Sequence, residues 1–158
     1  MKIRVGFGFD VHQLRDNHPF VLGGLTLPHT KGAFGHSDAD VLLHVICDAL
    51  LGAANLRDIG FQFPDTDSAL KGVDSKLLLK KTIELVSEKG YSVSNIDCTI
   101  CLQKPKVNPF IPEMKAIIAG ILETDIDAIS IKATTTEELG YVGREEGVSA
   151  YCVCLISG

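Results

Sequence analysis

The sequence has no tryptophan and no surplus of positive charge. It also has no uninterrupted apolar run near the roughly 18 residues that a membrane-spanning helix needs. Fifteen Lys and Arg face twenty Asp and Glu, for a net charge of −5. Neutralising phosphates dominates nucleic-acid affinity, so this balance argues against a nucleic-acid partner held by a general basic surface. A small phosphate ligand stays open, because a few local donors and a metal ion suffice to hold one. The opening MKIRVGFGFDVH lacks the apolar stretch of a secretory signal. The cysteines are few and odd in number: Cys47, Cys98, Cys101, Cys152 and Cys154. A disulfide framework is therefore not expected, and a reducing cytoplasm is. Cys98 and Cys101 form a C-x-x-C, but within the strand-like NIDCTICLQ. Residues i and i+3 of a strand face opposite sides. They read as small buried hydrophobes rather than a metal pair.

What the chain does have is enough apolar material for a core, at 46% hydrophobic over 158 residues. A domain of about 150 residues buries roughly 68–70% of its unfolded surface, so one domain over 1–158 is expected. Residues 2–10 read as a strand. FVLGGLTLP (20–28) reads as two short strand pieces about Gly23-Gly24, and 29–38 as a polar stretch. A helix is expected over 39–56, with apolar residues at 42, 45, 46, 49, 50 and 53 and with Ser37 or Asp38 as its cap. Residues 57–72 read as a long mobile loop of functional kind. A helix over 74–90 ends at Gly90, and another spans 109–123 with Pro109 in its first turn. Strands are expected over 92–103, 128–136 and 147–157. In the first of these, Ile96, Cys98, Ile100 and Leu102 share a face. GFG at 6–8 lacks the third glycine and the following helix of a dinucleotide fingerprint. The fold class is α+β: a mixed β-sheet with helices packed on one face.

Four groups of residues could carry chemistry. If the first strand continues through Asp10-Val11-His12, alternation turns Asp10 and His12 the same way. Mixed oxygen and nitrogen ligands suit a divalent transition metal, zinc above all; a turn Asp beside a surface His is the other reading of the same pattern. His44 lies on the first helix, by the apolar stripe, with Asp40 and Asp48 one turn away on either side. Either carboxylate could take its second ring nitrogen, as metal-bound imidazoles commonly require. Asp10, His12 and His44 would leave a fourth position open, the mark of a catalytic rather than a structural zinc. His36-Ser37 precede that helix, where free amides attract anions. Thr134-Thr135-Thr136-Glu137-Glu138 offers hydroxyls for phosphate and a carboxylate for magnesium, although Thr134 and Glu137 also have the spacing of a capping box. His18 and His29, beside prolines, read as surface residues.

Six segments, G-F-D-V-H (8–12), H-S-D-x-D-V (36–41), D-A-L-L-G-A (48–53), D-I-G (58–60), F-P-D-T-D (63–67) and K-A-T-T-T-E (132–137), stand in one order along nearly the whole chain. Together they resemble the 2-C-methyl-D-erythritol 2,4-cyclodiphosphate synthase family of the non-mevalonate isoprenoid route. The resemblance implies conversion of 4-diphosphocytidyl-2-C-methyl-D-erythritol 2-phosphate to the cyclic diphosphate with loss of CMP. It implies zinc on Asp10, His12 and His44, and magnesium or manganese on Glu137. It implies phosphate contacts from His36 and Ser37, ribose contacts at Asp58 and Gly60, and a flexible cover over the methylerythritol unit from Phe63, Pro64 and Asp65. Cytosine would lie along 102–108 beside Lys106, with Thr134 and Thr135 on the cytidine diphosphate. A homotrimer with sites between neighbours is implied, as is an axial cavity for an isoprenoid phosphate near Arg144 and Glu146. The chain departs from the family pattern at Phe7, Ala39 and Glu145, where His, Gly and Gly are common. None of these removes an implied ligand. A bacterial cytoplasmic enzyme is expected, one that aligns two anions without a covalent nucleophile or a dedicated general base.

Overall fold

Alternation along the first strand organises the molecule, which a computed structural model describes over residues 1–158. Strand β1 spans Ile3–Asp16. Its even positions from Gly6 to Leu14 turn toward the core, while Ile3, Val5, Phe7, Phe9 and Val11 face outward and are exposed. The strand runs six residues past the expected end because Gln13–Asp16 pair antiparallel with Phe34–Lys31 of β4 (Lys31–Phe34). That edge strand lies in the stretch read from sequence as merely polar. β2 (Phe20–Leu22) and β3 (Leu25–Leu27) form the expected hairpin. Gly23 (φ 62°) and Gly24 (φ 80°) make its turn, in a backbone region where other residues are strained.

The main sheet has the order β4-β1-β7-β5-β6, with β5 at Ser92–Cys101, β6 at Ile129–Thr134 and β7 at Gly147–Ser157. Only β5 and β6 pair in parallel, so the sheet is mixed. As the alternation predicts, Ile96, Cys98, Ile100 and Leu102 are all buried.

Helix α1 (Val41–Ala53) lies against β1 and β7 and against α3 (Ser75–Glu88), and all but two of its thirteen residues are buried. The apolar stripe read from sequence understates this, since cover on several sides makes nearly the whole surface core. Glycine sets how closely the helix approaches the sheet. A Cβ at Gly6 would lie 1.8 Å from the Ala49 carbonyl oxygen, and one at Gly8 2.1 Å from that of Val45. The cap of α1 is Asp40 rather than Ser37 or Asp38. Its buried carboxylate accepts the Leu43 amide at 3.1 Å and the Gly23 and Gly24 amides at 3.0 and 2.7 Å. Ser37 and Asp38 are spent elsewhere.

The expected loop 57–72 holds real local structure: helix α2 (Ile59–Gln62), capped by Asp58, and a 3-10 turn at Ser68–Leu70, capped by Asp67. Helix α4 (Ile111–Leu122) begins later than expected, because Pro109 belongs to a separate 3-10 turn, Asn108–Phe110. A short α5 (Gly140–Gly143) precedes β7.

Candidate metal centre and adjoining clefts

Two elements bring three ligand atoms together. β1 presents Asp10 and His12 on its inner face, and α1, seated closely by Gly6 and Gly8, presents His44. Asp10 Oδ2 lies 3.0 Å from His12 Nε2 and 3.0 Å from His44 Nδ1, and the two nitrogens are 3.1 Å apart. Tetrahedral zinc with bonds of about 2.0–2.1 Å separates its ligands by roughly 3.3–3.4 Å. A few tenths of an ångström therefore separate this triangle from a zinc face. The donor set of one carboxylate and two imidazoles also fits that ion.

The outer nitrogens explain why the inner ones are free to ligate. His12 Nδ1 donates to the Phe34 carbonyl oxygen at 3.2 Å, so Nε2 is the nitrogen that can give up its proton and offer a lone pair to an ion. His44 Nε2 faces the hydroxyls of Ser75 at 2.9 Å and Ser37 at 3.0 Å. Neither Asp40 nor Asp48 takes it, contrary to the sequence reading. Asp40 caps the helix, and Asp48 accepts the Ile59 amide at 2.8 Å. Electrostatics match the geometry. Burial opposes charge on Asp10, but the hydrogen bonds and charge of His12 and His44 outweigh it and hold the carboxyl well below its usual range. Burial alone would lower His44, and the hydrogen bond and charge of Asp10 more than reverse that.

The triangle opens into a cleft of about 710 Å³, also lined by His36, Ser37, Asp48, Gly60, Phe63 and Asp65. Of the substrate residues expected from sequence, His36, Ser37, Gly60, Phe63 and Asp65 thus meet the ligand triangle. Asp58 caps α2 through the Phe61 amide at 2.9 Å, and Pro64 is exposed beside the cleft wall. His36 Nε2 is buried without a partner. The start of α1 is not an open anion site, because Val41 and Leu42 are buried and the Leu43 amide is held by Asp40. Any anion recognition at this end falls to the His36 and Ser37 side chains.

A second cleft, of about 530 Å³, is lined by Leu102, Gln103, Lys106, Asn108, Thr134 and Thr135 among others, and it shares no residue with the first. Glu137 follows it on an exposed turn (φ 52°) outside the ligand triangle. No capping box forms there. The Glu137 amide donates to Thr135 Oγ1 at 3.2 Å, and Thr134 Oγ1 donates to the Thr135 carbonyl oxygen at 3.0 Å. Arg144 and Glu146 form a two-pronged pair at 2.9 and 3.1 Å on the exposed approach to β7. Glu145, between them, pairs with Lys104 at 3.5 Å. Sequence reasoning missed Ser75 and Asp38 as supports of His44. Asp74-Ser75 at a helix start carries the signal of a cap, and Asp74 does cap α3. Only the fold brings Ser75 beside His44.

The YgbB family model matches residues 3–157. A protein of Bacteroides thetaiotaomicron named 2-C-methyl-D-erythritol 2,4-cyclodiphosphate synthase is 62% identical over 156 residues, which cover 99% of this chain and 98% of that one. A protein of Porphyromonas gingivalis with the same name is 57% identical over 153 residues, 97% of this chain and 94% of that one. Among solved structures, the bifunctional IspDF of Campylobacter jejuni superposes with a TM-score of 0.94 at 43% identity; 98% of this chain is covered but only 42% of that longer one. A 2C-methyl-D-erythritol-2,4-cyclodiphosphate synthase in its CDP-bound form superposes with a TM-score of 0.90 at 33% identity, covering 98% and 100% of the two chains.

Proposed function

Because this chain belongs to the YgbB family, we propose that it catalyses the ring closure for which its curated relatives are named. It converts 4-diphosphocytidyl-2-C-methyl-D-erythritol 2-phosphate to 2-C-methyl-D-erythritol 2,4-cyclodiphosphate and releases CMP. It is a phosphorus–oxygen lyase of non-mevalonate isoprenoid synthesis. The observation that carries the chemistry is the triangle of Asp10 Oδ2, His12 Nε2 and His44 Nδ1, three lone-pair atoms within 3.1 Å of one another at the wall of an open cleft.

In this reading Asp10, His12 and His44 hold zinc, and the exposed carboxylate of Glu137 holds magnesium or manganese. Magnesium commonly sits on one or two carboxylates plus substrate phosphates, which suits Glu137. When bound, the two cations supply charge that offsets the repulsion between substrate phosphates. The chain's own residues bind and orient. His36 and Ser37 donate to the 2-phosphate, and Asp58 and Gly60 hold the ribose. Phe63, Pro64 and Asp65 cover the methylerythritol unit and exclude water. Lys106, Thr134 and Thr135 hold the cytidine diphosphate. An oxygen of the 2-phosphate bonds to the β-phosphorus as the bond from that phosphorus to the CMP oxygen breaks. No side chain needs to form a covalent bond or remove a proton. Holding both groups in line contributes on the order of 7–11 kcal/mol to lowering the barrier.

The single domain over 1–158 acts as a homotrimer. Two observations support this. The metal cleft and the Lys106–Thr135 cleft are separate within one chain, so a neighbour's second cleft can complete the first. The outer face of β1 and β7 exposes Ile3, Val5, Phe7, Phe9, Val11, Tyr151 and Val153, and a contiguous apolar patch of that kind marks an interface. Arg144 and Glu146 pair just before β7, and in this reading they border an axial cavity that would take an isoprenoid phosphate. A cytoplasmic location fits five free cysteines; no helix is long and apolar enough to cross a membrane.

The test is incubation with the cytidyl substrate, with and without chelator, followed by phosphorus NMR. The cyclic diphosphate and CMP should appear only when metal is present. Inorganic phosphate or an opened, hydrolysed diphosphate in their place would mean a metal-dependent hydrolase.

A further inference from the structure

The second nitrogen of His44 faces two hydroxyls, and a count of protons decides what each of them does. Ser75 is fully buried. Its hydroxyl lies 2.5 Å from Asp38 Oδ1, and its amide lies 3.0 Å from Asp38 Oδ2. The Asp40 amide adds a third donor to the same carboxylate at 3.2 Å. A carboxylate with three donors around it only accepts, so the Ser75 proton points at Asp38. The Ser75 oxygen, 2.9 Å from His44 Nε2, can then only accept from that nitrogen. Nε2 carries the hydrogen, and Nδ1 keeps its lone pair for the triangle. Ser37 is settled by the same count. Its oxygen accepts the Ala39 amide at 3.1 Å, and a protonated Nε2 cannot accept from it. The Ser37 proton is left without a taker on this side, in a residue that lines the cleft.

We propose that half-buried Asp38 and buried Ser75 form a positioning relay which fixes His44 as an Nδ1 metal ligand and leaves the Ser37 hydroxyl free to donate to an anionic substrate group. The relay ties three segments together: the turn before α1, α1 itself and the first turn of α3. It rests on the metal reading of the triangle but not on the identity of the substrate. It assigns different work to two serines that stand at nearly equal distance from one nitrogen.

The experiment uses zinc alone. Competition against a chromogenic chelator gives the zinc affinity of the full-length protein and of two variants, with thermal unfolding as the check on folding. Ser75→Ala is expected to bind zinc about 10–100-fold more weakly, the usual effect of losing a ligand's outer partner. Ser37→Ala is expected to stay within about twofold, since Ser75 still accepts from Nε2. Equal losses in the two variants, or no loss in Ser75→Ala, overturn the relay. Should Ser75→Ala fail to fold, imidazole nitrogen NMR of the unsubstituted zinc-loaded protein decides. A slowly exchanging hydrogen on His44 Nε2 is expected, and a bare or rapidly exchanging Nε2 overturns the proposal. If the unsubstituted protein takes up no zinc, the metal reading itself has failed, which is a different result.

Discussion

The Nε2 of His12 and the Nδ1 of His44 stand 3.1 Å apart. Each ring turns its other nitrogen to a partner on the far side, His12 to the Phe34 carbonyl and His44 to Ser75. Asp10 Oδ2 completes the arrangement at 3.0 Å from both. Protons on the inner nitrogens hold the three atoms together when no ion is present, and a cation that replaces those protons would meet one carboxylate oxygen and two imidazole nitrogens at ligand spacing.

Replacing His44 with Ala should leave two ligands and an unstable site. Zinc content by plasma emission spectrometry should fall from one per chain to near zero. CMP release should fall by roughly 10²–10³ or more, the range for losing one group that stabilises developing charge. Normal CMP release from zinc-free His44→Ala would remove the metal from the mechanism.

Glu137→Gln should separate the two cations. Zinc content should be unchanged, because Glu137 lies outside the ligand triangle. Turnover should drop by about 10² and lose its dependence on added magnesium. A variant that turns over normally and still responds to magnesium would place the second ion elsewhere.

The metal-free protein should show a stability window in pH. His44 is raised above its ordinary 6.5, because its hydrogen bond and attraction to Asp10 outweigh burial. Its contribution is therefore complete below 6.5 and fades as pH rises through the folded value. Asp10 is depressed below its ordinary 3.8, so its contribution is complete above 3.8 and fades as pH falls. The pair acts in full between those two values. Melting temperatures in chelator should show a wild-type advantage over His44→Ala within that interval, narrowing on both sides. Zinc uptake must displace the His44 proton, so affinity should rise with pH. A flat difference across pH 3–9 would contradict the pairing.

Gly8→Ala should harm both stability and metal binding. The added methyl would meet the Val45 carbonyl oxygen at 2.1 Å, which forces α1 away from β1. Overpacking costs about 1–3 kcal/mol, occasionally more. The same displacement moves His44 from Asp10, so denaturant midpoint and zinc affinity should fall together. Retained zinc affinity in a destabilised Gly8→Ala would show that the triangle tolerates that shift.

Charge on the outer sheet face tests assembly. Val5 and Phe7 are 66% and 61% exposed in the single chain. Val5→Asp combined with Phe7→Asp should leave the fold intact by circular dichroism and yield monomers in sedimentation. Activity should vanish, since the two clefts would no longer meet. Fully active monomers would show that one chain holds a complete site.

Much of this was legible from residue order alone. The D-x-H spacing anticipates a shared face, and β1 supplies it by running through Asp10-Val11-His12. The alternation of Ile96, Cys98, Ile100 and Leu102 anticipates their burial. Legibility ended where partners are distant in the chain. His44 finds its outer partner 31 residues away at Ser75 instead of one turn away at Asp40 or Asp48. Edge strand β4 was hidden because a four-residue strand with a glycine carries almost no periodic signal. Two aspartates of the segment read as a mobile loop, Asp58 and Asp67, each accept an amide at the start of a helical turn, so residues that signal a loop by composition act there as caps.

Strand β1 places neighbouring residues in opposite roles. Phe9 and Val11 face outward while Asp10 and His12, interleaved with them, face the ligand triangle. A small molecule wedged against Phe9 would press on a ribbon one peptide thick whose other side carries Asp10 and His12. A ligand seated on that outer face would thus have a direct mechanical route to the ligand triangle. Substitution at position 9 or 11 would risk shifting the flanking ligands, so the outer face of β1 is tied to the geometry of the inner one.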